Sequence, residues 1–252
     1  METINYPLEV LLFLFGIATV AGFIDTLAGG GGLLTIPALI ISGIPPLAAL
    51  GTNKLQGSMG TATASYMMFK YKRVRWAIVA QPMMCAFAGS LIGTIAVQYI
   101  DTSVLIFVIP LVLFGIALYF LLSPNLHEDN RTPVISQQQY QAYVIPAIGG
   151  YDGMFGPGTG SFLALAGVSL RGQGIIDATA IAKTLNLATN LASLIVFFLV
   201  GQIVWIVGGL MLCGQLIGAS IGSRCLVMIN PKHLRMLIVV MSVAMLIRYF
   251  LA

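Results

Sequence analysis

Charge is scarce in this chain: 12 Lys and Arg and 8 Asp and Glu make up only 8% of 252 residues. Soluble domains carry roughly 25% charged residues, so a water-facing surface cannot be covered. Histidine is represented only by His127 and His233, both in stretches that read as loops. The cysteines Cys85, Cys213 and Cys225 show neither metal-ligand spacing nor a disulfide framework. They read as small buried hydrophobes, and neither a metal nor a cofactor is expected. No nucleophile–base pair and no P-loop ending (Gly-Lys-Ser/Thr) is present, so the sequence offers no catalytic residues and argues against an enzyme. The start of the chain lacks a basic stretch before its apolar run and a small-x-small cleavage site, and reads as a retained first helix. A net charge of +4 rests on few residues set beside apolar segments. It is topology information, not a nucleic-acid footprint.

Hydrophobicity is abundant: 58% of residues are apolar and the mean hydropathy is +0.97. The apolar runs last about twenty residues, the length of a membrane helix, where a barrel would alternate over about ten. Segment A runs from about Leu8 to Ile24 and breaks at Asp25 before the block Gly29 to Gly32. A short segment B (Leu33 to Ser42) spans about 15 Å, half a hydrocarbon core. Segments C (Leu47 to Phe69), D (Trp76 to Tyr99) and E (Ser103 to Leu122) follow. The same order returns as A′ (Tyr143 to Tyr151, breaking at Asp152), B′ (Ser161 to Leu170), C′ (Asp177 to Val200), D′ (Ile203 to Val227) and E′ (Leu234 to Ala252). Lys54 and Lys183, Trp76 and Trp205, Gly89 and Gly218, and Gly93 and Gly222 all share one offset of 129 residues. The chain is therefore a duplication: a first half 1–122, a polar linker 123–141 and a second half 142–252.

Basic residues switch loops between the halves. Lys70, Lys72, Arg73 and Arg75 lie between C and D, whereas Arg224, Lys232 and Arg235 surround the turn between D′ and E′. By the positive-inside rule the halves are expected to be inverted, with the linker cytoplasmic and both termini periplasmic. A and B must then make an even number of crossings, as a hairpin or a pair of short spans.

Irregular backbone inside a bilayer is tolerated where it lines a cavity or is buried by protein. After each break a short helix opens, presenting unpaired N–H groups and the positive end of its dipole. Gly29, Gly30, Gly31 and Gly32, with Gly156 and Gly158, are therefore read as letting an anion approach the backbone, with Thr35, Thr159 and Ser161 as hydroxyl donors. The pairs Gly89/Gly93 and Gly218/Gly222 are read as helix packing. Lys54 and Lys183 lie inside membrane segments, where a charge costs at least about 2.5 kcal/mol. They either attract an anion or snorkel to the interface. Asn53, Gln56, Asn186 and Asn190 surround them, and Lys183, Asn186 and Asn190 share one face of C′. Asp25 and Asp152 are left between three roles: proton carriers, holders of the turn, or partners of the lysines. The pattern reads as a transporter, with a channel-like pore for small solutes as the alternative.

AGFIDTLAGGGGLLTIPALIISGIPP with LGTNKLQ, and YDGMFGPGTGSFLALA with AKTLNLATN, resemble the two signatures of the TauE/SafE family of membrane permeases. The resemblance covers essentially the whole chain. It implies movement of small sulfur-containing or organic anions, such as sulfite, sulfoacetate or sulfonates, across a bacterial inner membrane. On motif match it also implies site roles for Gly29 to Gly32, Asn53, Lys54, Gln56, Asp152, Gly156, Gly158, Lys183 and Asn186. In the second break Pro157 stands where the first has Gly30, so the two cannot bind alike. The expected architecture is all-α: a polytopic membrane protein of two inverted halves, with about eight full transmembrane helices plus the short helices after the breaks. The expected partners are a small anionic substrate and the lipid bilayer, with no nucleic acid. Oligomeric state stays open, a homodimer being one option.

Overall fold

A chain in lipid must satisfy its backbone hydrogen bonds internally, and helices do this segment by segment. The computed structural model describes residues 6–122, 132–225 and 247, and among these the regular structure is helical. The first half holds α1 (Leu8–Ala28), α2 (Gly32–Ile41), α3 (Pro46–Lys70), α4 (Trp76–Val97) and α5 (Thr102–Leu122). The second holds α6 (Gln137–Gln139), a π-helical turn (Tyr140–Val144), α7 (Ile145–Met154), α8 (Thr159–Arg171), α9 (Ile175–Leu199) and α10 (Trp205–Cys225). Four of them, α1, α4, α9 and α10, are long and apolar enough to cross a membrane. Segment E′, residues 123–131, both histidines, Lys232 and Arg235 lie outside the described residues.

The breaks fall later than the sequence suggested. Asp25 and Asp152 sit within the last turns of α1 and α7, and the helices end at Ala28 and Met154. An aspartate can occupy a helical turn, whereas Gly29 at φ 78° cannot continue one. Within the stretch read as a linker, helix begins at Gln137, where Ser136 and Gln139 cap each other reciprocally. The π turn precedes Pro146, which has no N–H for the regular ladder. Cys85 is half-buried, but Cys213, expected inside, is exposed, and the side chain of Cys225 is not among those described. An apolar thiol on a membrane helix is as comfortable against lipid as in a core.

The halves interlock crosswise. α1 packs along α10, and α7 packs along α4. Gly214 meets Phe15 and Thr19, Gly218 meets Thr19 and Phe23, and Gly222 meets Phe23 and Thr26, so α1 and α10 run parallel. Gly89 meets Pro146 and Gly93 meets Gly150 in the same parallel sense. At both seams a neighbouring backbone occupies the space of a Cβ, the close approach that small residues permit in membranes. At the centre α3 and α9 run antiparallel: Gly51 lies by Phe197, Gly57 by Asn190, and Ser65 Oγ donates to the Lys183 carbonyl at 3.0 Å.

α3 also runs parallel to α10, since Thr52 Oγ1 accepts from the Val204 N–H and Gly60 lies under Gln215. With α1 and α3 both parallel to α10, the short α2 between them must turn back. Ser90 Oγ donates to the Thr189 carbonyl and Thr94 Oγ1 donates to Ser193 Oγ, which sets α9 parallel to α4. α8 turns back by the same logic. Each half therefore holds an entering helix that ends at a break, a returning one, and a central helix.

Candidate functional site

The two breaks touch. A Cβ on Gly29 would lie 2.9 Å from Gly160 Cα and 3.0 Å from Ser161 N, and one on Gly32 would lie 3.2 Å from Pro157 Cα. A Cβ on Gly31 would come 2.9 Å from the Asp25 side chain. Gly30 completes the turn by accepting from the Leu33 N–H at 3.0 Å. Close contact between the breaks is thus one reason for the glycine block in this arrangement. Gly158, at φ 79°, opens α8 from a left-handed conformation that other residues rarely adopt.

Hydroxyls brace the breaks. Thr35 Oγ1 donates to Asn53 Oδ1 at 2.5 Å and ties α2 to α3. Thr159 Oγ1 lies 2.7 Å from Asp152 Oδ1 and 2.8 Å from the Gly156 carbonyl. Tyr151 donates its O–H to the Pro157 carbonyl at 2.6 Å, and its ring meets Phe162 edge-on.

Each central helix sends its lysine to the opposite half. Lys54 Nζ and Asp152 Oδ2 form an ion pair at 2.8 Å with both side chains buried; neither atom makes a well-formed hydrogen bond besides. Lys183 Nζ donates to the backbone carbonyl of Asp25, in the last turn of α1. At 1% and 2% exposure the two lysines do not snorkel. Both ammoniums meet the carboxyl end of a broken helix, where the dipole is negative. The Asp25 carboxylate accepts from the Gly31 N–H at 3.3 Å and lies near enough to both lysines for its charge to act on each. Asp25 thus bonds within its own turn, while Asp152 makes the ion pair with a lysine.

Between these groups lies a cavity of about 30 Å³, room on the scale of a single water molecule. Of the residues singled out by sequence, Asp25, Gly29, Gly31, Gly32, Asn53, Lys54, Gln56, Asp152, Gly156, Gly158, Asn186 and Asn190 line it. Gly30, Thr35, Thr159, Ser161 and Lys183 do not. Gln56 Nε2 donates to Asn53 Oδ1 at 2.8 Å, and Asn190 Nδ2 donates to Asn186 Oδ1 at 3.3 Å. The lining holds cationic and amide donors, two carboxylates and the glycine backbone of both breaks.

Two lining residues escaped the sequence reading: Gly57 and Gln215. Gln215 is buried, and its Oε1 has no hydrogen-bond partner. Its signal is an uncharged polar residue inside an apolar run, far in sequence from either break and from both lysines. At the 129-residue offset its counterpart is Ala86.

Comparison with known proteins agrees over nearly the whole chain. The family model for sulfite exporter TauE/SafE matches residues 14–249. A probable membrane transporter protein of Haemophilus influenzae is 41% identical over 238 residues, 94% of this chain and 93% of the relative. The probable membrane transporter protein YfcA of Escherichia coli strain K12 is 42% identical over 249 residues, 97% and 93% of the two chains. A probable membrane transporter protein of a Sinorhizobium species is 41% identical over 240 residues, 95% and 92%. No solved structure matches the chain significantly.

Proposed function

The chain belongs to the TauE/SafE family of membrane transporters, and from that premise we propose that it is a secondary carrier of small anions working by alternating access. Sulfur oxyanions and organosulfonates such as sulfite or sulfoacetate are the favoured substrates, since the family's description names sulfite export. The observation that carries this reading is the central cavity, where Lys54, amides from α3 and α9, and the N-terminal ends of α2 and α8 converge. Irregular backbone paired across a repeat interface is where carriers place their substrate. At about 30 Å³ the cavity is too small for a sulfite-sized ion. Binding requires the breaks to separate, as a carrier that opens to one side at a time would do.

Lys54 is engaged by Asp152, so an anion must compete with a carboxylate or wait for its protonation. Protonation of Asp152 would release Lys54 to the anion, and this gives the carrier a route to proton coupling. The two halves are inverted, a reading supported by the antiparallel run of the matching helices α3 and α9. The setting is the bacterial inner membrane, with 123–141 cytoplasmic and both termini periplasmic.

A thermal-shift screen of the purified protein against sulfite, thiosulfate, sulfoacetate and simple carboxylates tests the substrate class. Ligand at a hundred times its Kd stabilises by about 2.7 kcal/mol, and stabilisation by carboxylates alone would sink the sulfur-anion reading. Counter-flow in proteoliposomes tests the carrier, since unsaturable conductance would mark a pore. For the inversion, Tyr71→Cys and Val200→Cys in a background without Cys85, Cys213 and Cys225 should label from opposite sides; both positions are exposed. Labelling from one side only would end the inverted arrangement.

A further inference from the structure

We propose that a recess at one membrane face binds a phosphate group, and that the phosphate is the headgroup of an anionic membrane lipid. The recess measures about 450 Å³ and lies where the end of α3 and start of α4 meet the end of α8 and start of α9. Arg73 and Arg75 line it from the first half, and Arg171 and Asp177 from the second. Three guanidiniums against one carboxylate leave an excess of two positive charges in one cavity. Among the described residues no carboxylate lies within ion-pair distance of the three arginines, the ion pair there being Lys54 with Asp152. Charges that only set topology need not share a cavity, nor draw one member from the other half.

The backbone is arranged to present them. Lys72 adopts φ 55°, the one positive value for a non-glycine among the described residues, and ends α3 as its left-handed cap, with its N–H donating to the Phe69 carbonyl at 3.0 Å. The turn is closed by the Arg73 N–H donating to the Met68 carbonyl at 2.9 Å. Arg171 is held by donation from Nη1 to the Ile135 carbonyl, while its Nε has no hydrogen-bond partner. Guanidinium forks match the oxygens of a phosphate.

A lipid is favoured over a soluble ion by the other walls. Ile78 and Ile181 line the recess, and Ile78, Ile176 and Trp76 are all exposed on the protein's flank. A tryptophan beside apolar residues, just below a basic cluster, is the composition of a membrane interface. Val74 of the recess belongs to a buried cluster with Met68, Val79 and Ala180, and the recess shares no lining residue with the central cavity. Basic pockets between helices at a membrane face take anionic headgroups. The matching turn of the other half, Val200 to Gln202, carries no charge, so the lipid would grip one end of the protein only.

The test uses the purified, delipidated full chain in detergent. Thermal shift and native mass spectrometry are read with phosphatidylglycerol, phosphatidylcholine and inorganic phosphate. Phosphatidylglycerol should raise Tm and remain bound where the other two do not. Arg73→Gln and Arg75→Gln, both at exposed positions, should each weaken it about fivefold and leave Tm without lipid unchanged. Equal phosphatidylglycerol binding by wild type and both variants would overturn the site. Inorganic phosphate binding as tightly as the lipid would move the source to solution and overturn the lipid assignment. The readout is lipid binding, so the proposal stands or falls apart from the transport reading.

Discussion

Lys54 and Lys183 occupy matching places in α3 and α9, and each crosses to the broken helix of the opposite half, yet they end on different groups. Lys54 meets the side-chain carboxylate of Asp152, and Lys183 meets the backbone carbonyl of Asp25. The cause lies in the breaks. In the first, Gly31 offers an N–H that the Asp25 carboxylate accepts. In the second, Thr159 supplies a hydroxyl and leaves the other Asp152 oxygen facing Lys54. One lysine ends in a buried ion pair; the other donates to a helix end. The surroundings of the two lysines match in outline, and small differences at the breaks give them different partners.

The sharpest way to break this comparison is to remove each lysine. Lys54→Met leaves Asp152 buried without its cation, which typically costs 3–5 kcal/mol, and transport should vanish. Lys183→Met should also abolish transport, because a cation beside the site is lost. Its stability cost should be nearer 1.5 kcal/mol, since the Asp25 carbonyl keeps the Gly29 N–H as a partner. Thermal unfolding in detergent compares the two variants; equal losses would mean that the half-sites are energetically alike. Normal uptake by the Lys183 variant would remove that residue from the transport cycle.

Titration separates the aspartates next. If Asp152 must take a proton before Lys54 can receive the anion, anion affinity rises as pH falls. With one proton bound per anion, the change approaches tenfold per pH unit. Asp152→Asn mimics the protonated state, so its binding should be independent of pH and proton-driven accumulation should be lost. Measuring anion affinity across pH decides it; a variant that keeps the wild-type slope would assign the coupling proton elsewhere.

Much of this frame was legible in the sequence because membrane helices announce themselves by length and composition, and a repeat announces itself by offset. The bounds of α3, read as Leu47 to Phe69, differ by one residue at each end from Pro46–Lys70. The exact turn was less legible, since Asp25 fits a helix's last turn as well as a loop, and only the positive φ of Gly29 separates the two. Cross-half pairing was not legible either: which lysine meets which aspartate depends on the antiparallel register of α3 and α9. Gln215 was less legible because α10 carries neither a break nor an intramembrane lysine to draw attention to its polar residues.

The asymmetry between Gln215 and Ala86 supports the smallest and most specific prediction. Gly22 packs on the backbone of Gln215 and Ala219, and Gly149 packs on the backbone of Ala86 and Ser90, so Gln215 and Ala86 hold equivalent positions. Across from them the sizes are exchanged. Gly60 lies under Gln215, whereas the residue matching Gly60 at the 129-residue offset is Thr189. The pair Gln215 and Gly60 thus corresponds by offset to Ala86 and Thr189, with the larger residue on the opposite helix. A Cβ on Gly60 would overlap Gln215 Nε2 at the flexible end of that side chain and lie 3.0 Å from its Cγ, so Gly60→Ala alone should cost about 1 kcal/mol through overpacking. Gln215→Ala alone removes packing but also a buried carbonyl without a partner, and should fall within about 1 kcal/mol of wild type. Combined, the substitutions should recover part of the Gly60→Ala loss, with a coupling of about 0.5 kcal/mol or more. Unfolding measurements on the four proteins of the cycle read this directly. Strict additivity would show that the exchanged sizes are coincidental, and that Gln215 is present for the cavity and not for the packing.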